Sequence, residues 1–77
     1  MLKSVILKAL EDKYNAQISE ADATLKIYFN NSVGIGEHTD ILAEVTKWTE
    51  SLSQAEENIQ SLKNNFDEYG NFIPGEK

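Results

Sequence analysis

The second half of the chain carries an unbroken run of apolar residues spaced alternately four and three: Ile41, Val45, Trp48, Leu52, Ala55, Ile59, Leu62, Phe66 and Tyr69. A repeat averaging 3.5 residues keeps one stripe of a supercoiled helix facing a neighbour, so this stretch requires a second helix against it. The first half supplies one. Leu7, Tyr14, Ala21 and Tyr28 recur every seven residues, with Ile18 and Leu25 between them and the polar Ser4 and Glu11 at the remaining seam positions. Between the two patterns lies Ser32-Val33-Gly34-Ile35-Gly36-Glu37-His38-Thr39-Asp40, whose two glycines permit a reversal of the chain.

Folding the chain about residue 35 brings seam positions summing to 69 or 70 to the same level of an antiparallel pair. Ala21 then faces Trp48, Tyr14 faces Ala55, and Leu7 faces Leu62. Large residues meet small ones, which keeps the helices at constant separation at native packing density. The fold expected is all-α: an antiparallel two-helix coiled-coil hairpin that self-associates into a four-helix arrangement. Its parts are a helix over 2–30, a turn over 31–39, a helix over 40–67 and a tail over 70–77, the hairpin itself spanning 1–69. Each arm should run about 40 Å at about 1.5 Å per residue. Asn30 and Asn31 suit the stop of the first helix, because asparagine tolerates the left-handed cap conformation. Thr39 or Asp40 can cap the second helix, and Glu37 and Asp40 favour the positive end of its dipole. Asn64, Asn65 and Gly70 weaken the other end, so fraying is expected after about Phe66.

With 77 residues and no cysteine, the chain is a single small domain without disulfides or thiolate metal sites. Chains of this size often gain missing burial by self-association. No apolar run approaches the roughly 20 residues of a membrane span, and Lys3 and Lys8 interrupt the short Val5-Ile6-Leu7 cluster. A soluble cytoplasmic protein without membrane contact is the expectation. The net charge of −6 is uneven: residues 1–36 hold four Lys and four acids, and residues 37–77 hold three Lys and nine acids. No arginine is present. Direct nucleic-acid binding, which relies on basic patches and often on the guanidinium fork, is not expected.

Nothing in the sequence composes a reaction centre. The glycine loop lacks the G-x-G-x-x-G spacing and the Lys-Ser/Thr pair of phosphate-binding turns, so it reads as a hinge. His38 is the only histidine, beside Glu37 and Asp40; one imidazole with local acids makes a poor metal site, and capping or bonding across the turn is favoured. No catalytic residue, metal or cofactor is expected. Trp48, Tyr14 and Tyr28 read as seam residues, and Glu11 as a charge at the rim or paired with a lysine. The informative residues lie off the seam. Leu2, Val5, Ile6 and Leu10 put apolar surface around the first helix where a hairpin has nothing to cover it. Phe72 and Ile73 in the tail either fold over that surface or leave it to a second chain. Ile27, Phe29 and Leu42 form a smaller cluster near the turn. Glu37, His38 and Asp40 are the remaining interaction candidates.

The segment Asn31-Ser32-Val33-Gly34-Ile35-Gly36-Glu37-His38-Thr39-Asp40-Ile41 resembles a stretch of small helical-hairpin proteins of T-even-like tailed phages. Those carry a V-G-I-G-E-H-x-D turn followed by an acidic, alanine-bearing helix. Thr39 stands where the pattern often has proline. The resemblance covers about a third of the chain at motif level, and it implies a phage origin and a helical fold without catalytic residues. The function expected is a non-enzymatic protein–protein interaction module, an accessory or host-directed phage protein in the cytoplasm of an infected cell. It would have a protein partner and form a homodimer. The alternatives are a structural virion or assembly component, and an acidic factor acting on a nucleic-acid-processing complex through a protein partner.

Overall fold

In a computed structural model the described residues, 2–30 and 40–74, form two antiparallel helices and a short folded tail. Helix α1 runs Leu2–Asn30 and helix α2 runs Ile41–Asn65. The molecule is a rod of 51 × 26 × 16 Å. The turn 31–39, with Glu37 and His38, lies outside the described residues.

Contacts at both ends fix the register. Near the turn the Tyr28 hydroxyl donates to Glu44 Oε1 at 3.4 Å. At the open end, opposite the turn, Leu7 and Leu62 line the same cavity, and Lys3 Nζ donates to Asn71 Oδ1 at 3.3 Å. Leu7 beside Leu62 is the level that folding about residue 35 calls for. Ala21 and Ala55 are each 0% exposed, as expected where a small seam residue lies under a large neighbour. Leu7 completes the buried apolar set among the described residues, and no large side chain there is fully buried. Two helices can close a seam on one side only, so Tyr14, Ile18, Leu25, Val45, Trp48, Leu52 and Ile59 stay half-buried. Glu11 also remains half-buried, close enough to Lys8 for their charges to interact.

Helix α2 begins where the sequence provides a cap. Asp40 is extended, with φ −77° and ψ 91°, and its Oδ1 accepts from the Ala43 amide at 3.0 Å. Glu44 adds a negative charge to the first turn. Asp40→Ala should cost about 1 kcal/mol of stability, and Asp40→Asn, which keeps an accepting oxygen, should recover most of it. Urea unfolding of the three proteins reads this directly; equal midpoints would contradict the cap.

The helix stops at Asn65, two residues before 67, because the chain switches to extended geometry at Phe66, with φ −131° and ψ 144°. Phe66 and Phe72 form an antiparallel bridge, and Ile73 N donates to the Asn65 carbonyl at 2.9 Å. The stripe therefore ends at Phe66, and Tyr69 is an exposed turn residue instead of a seam residue. In α1, Lys8 pairs with Asp12 at 2.5 Å and Lys26 with Asp22 at 2.8 Å, both across one exposed turn. Such pairs contribute little to stability. No helix among the described residues is long and apolar enough to cross a membrane.

Candidate interaction surface

The tail forms a tight reversal built on Asp67. Its Oδ1 accepts from the amides of Tyr69 and Asn71, each at 2.9 Å, and its carbonyl accepts from Gly70 N at 3.0 Å. Asp67 N returns a bond to the Asn71 carbonyl at 2.9 Å. Gly70 closes the turn with φ +82°, a conformation that glycine adopts without steric cost. The absence of a side chain has a second use. A Cβ at Gly70 would lie 2.6 Å from the Lys3 carbonyl oxygen, so the glycine lets the turn rest directly on the start of α1.

This arrangement brackets an open apolar cavity of about 150 Å³ at the end of the rod. Ile6, Leu7 and Leu10 of α1 form one wall; Leu62 and Phe66 of α2 form the other, with Lys3 and Gly70 at the rim. Apolar surface continues outside it. Leu2 is 71% exposed, Val5 64% and Ile6 52%. Phe72 lays its ring on Phe66, with centroids 4.7 Å apart and planes 37° apart, yet stays 77% exposed. The tail thus packs against the end of α2 and touches α1 through Lys3 and Gly70, but it leaves Leu2, Val5 and Ile6 open. Phe72 and Ile73 enlarge the apolar end of the rod without closing it.

Of the candidate residues, Leu2, Val5, Ile6, Leu10, Phe72 and Ile73 share this end. Asp40 sits at the other end, where the cap occupies its carboxylate. Glu37 and His38 lie outside the described residues. Sequence reasoning missed the cavity because it treats Leu7, Leu62 and Phe66 as closed seam; the last layer of a two-helix pair has no further layer to seal it. Asp67 and Gly70 were a usable signal, since Asp at the first and Gly at the fourth position mark a common reverse turn.

Ile27, Phe29 and Leu42 are exposed toward the turn end. There the Tyr28 phenol is pushed above its ordinary value, first by desolvation and then by the Glu44 charge and the bond to it. A phenol whose folded value is raised contributes stability below its unfolded value, and this is lost as pH rises through the folded one. Ultraviolet titration should find a tyrosine ionising above the ordinary phenol range, and Tyr28→Phe should remove that late step and flatten the alkaline fall in stability. A late step that survives Tyr28→Phe would contradict this assignment.

Among the described residues no group of three or more His, Asp or Glu is placed to hold a metal ion. What the surface offers is apolar area with a lysine at its edge. No family model, no curated protein and no solved structure matches this chain.

Proposed function

We propose that this chain is a non-enzymatic protein–protein interaction module: a hairpin that self-associates into a four-helix arrangement or, through the same apolar open end, binds a partner protein. The observation that carries the reading is the contiguous exposed surface of Leu2, Val5 and Ile6 beside the cavity. Monomeric soluble proteins rarely leave large contiguous apolar patches uncovered, and such patches mark interfaces. Binding buries that surface, and the acid-rich second half steers encounter and disfavours acidic partners. Nucleic acid is engaged, if at all, through the partner, since the chain is acidic and has no arginine. The resemblance at the turn extends the proposal to an accessory or host-directed phage protein acting in an infected cell.

Affinity capture should compare the native sequence with a Leu2→Ser/Val5→Ser variant, both checked for helix content by circular dichroism. A protein retained by the first and released by the second supports the reading. Equal retention on both, or nothing retained on either, sinks it.

A further inference from the structure

The outward face of α1, opposite the seam, carries a second stripe with the same alternation of four and three. Leu2 and Ile6 begin it, Ile27 ends it, and Ala9, Ala16 and Ala23 recur every seven residues between them. Lys13 and Glu20 fill its two remaining positions. Every one of these eight residues is exposed. The corresponding face of α2 shows nothing comparable, with Lys47, Glu50, Gln54 and Glu57 along it. Solvated helix faces do not need a heptad of alanines and isoleucines; helices that meet another helix do.

From this stripe we infer that a second copy of the chain docks along α1, antiparallel and related by a two-fold axis between residues 13 and 16. The inference rests on the self-association proposed above and assigns its geometry. The stripe is self-complementary only in this orientation. Positions summing to 29 face each other, so Leu2 meets Ile27 of the second copy and Ile6 meets Ala23. The apolar ends of α1, about 37 Å apart on one molecule, thereby cover one another. Lys13 lies opposite Ala16 and one helical turn from Glu20 of the second copy. These two charges have no ion-pair partner among the described residues, although the neighbouring pairs Lys8–Asp12 and Asp22–Lys26 are satisfied within the helix. The two-fold supplies the missing partner twice.

Charge agrees with this occupant. Residues 1–36 have four lysines and four acids, so two first helices meet without net repulsion, and the acid-rich second helices stay on the outside. Beside the stripe, Asp12 falls opposite Ser19 and Lys26 opposite Val5, so no like charges are forced together. Alanine at the central layers also lets the two backbones approach closely.

The chain has no cysteine, so introduced thiols report cleanly. Sedimentation should first give a dimer. Ile6→Cys/Ala23→Cys should then oxidise to a covalent dimer, and neither single variant should do so alone. The two sites are about 26 Å apart within one helix and cannot bridge internally. Ala16→Lys, which sets a second lysine opposite Lys13 of the other copy, should weaken dimerisation by roughly a hundredfold with helix content unchanged. Lys13→Glu should weaken it as well, and adding Glu20→Lys should restore it. A dimer in which Ile6→Cys alone cross-links to itself is parallel and overturns the geometry. A dimer that cross-links through Glu50→Cys lies on α2 and overturns it too. A monomer in sedimentation overturns the self-association on which the geometry rests.

Discussion

Ala55→Leu is expected to lower the unfolding free energy by about 1–3 kcal/mol, the range in which overpacking a filled site falls. Ala55 is 0% exposed, so its methyl group already meets other atoms on every side. Leucine and alanine differ little in helix propensity, so backbone preference does not confuse the result. Ala43→Leu, at an exposed position of the same helix, is the control and should change stability little. For a chain this small the expected loss is a large share of a total of roughly 4–12 kcal/mol. The seam also dictates how the damage is repaired. Tyr14 is the residue that folding about residue 35 sets against Ala55, so the exchange Tyr14→Ala/Ala55→Tyr should cost less than the two single changes added together. Coupling between residues in contact commonly amounts to about 0.5–3 kcal/mol. Strict additivity in urea unfolding would mean that the two do not share a level.

Gly70→Ala should release the tail while leaving the helices formed. Two penalties act together. The φ of +82° costs an alanine about 1–2 kcal/mol, and its Cβ would sit 2.6 Å from a backbone oxygen of Lys3. Backbone atoms cannot swing aside as a flexible side chain does, so the turn itself must lift. Hydrogen exchange should then quicken at Ile73 N and Asp67 N, whose bonds hold the tail, and stay slow at amides in the middle of α1 and α2. Gly70→Asn separates the causes. Asparagine tolerates the left-handed region but keeps a Cβ, so an equal loss identifies the contact with Lys3, and a partial recovery identifies the backbone angle. Unchanged exchange in both variants would remove the reason for a glycine here.

The helices were legible in the sequence because their seam is a pattern with a period. Leu7 and Leu62 come to the same level, and both central alanines are buried, since the spacing leaves no other consistent pairing about residue 35. The cap was legible as one of two neighbours, Thr39 or Asp40, for a local reason: an oxygen-bearing side chain just before an apolar repeat has free amides within reach, and Asp40 is the one that accepts from Ala43. The end of the stripe was not. Tyr69 continues the spacing of four and three in the sequence, but Asp67 and Gly70 favour a turn, and a turn that gathers bonds at Asp67 and a bridge at Phe66 prevails over a frayed last helical turn. Periodicity describes what a helix would bury if it continued and cannot report a local competitor. The cavity was hidden for a different reason, as it comes from the end of a rod and from a tail that stacks on Phe66 without covering Ile6.

The clasp between Lys3 and Asn71 has a consequence for the order in which the chain closes. Contacts between the helices join residues ever further apart along the chain toward the open end. The separation is 16 positions for Tyr28 and Glu44 and 68 for Lys3 and Asn71. Each doubling of a loop adds about 0.6 kcal/mol of closure entropy, so beginning at the clasp is about 1.2 kcal/mol harder than beginning beside the turn. The hairpin should therefore zip from the turn outward and seat its tail last. Unzipping runs the other way, and the apolar open end is the part that opens first and recloses most often.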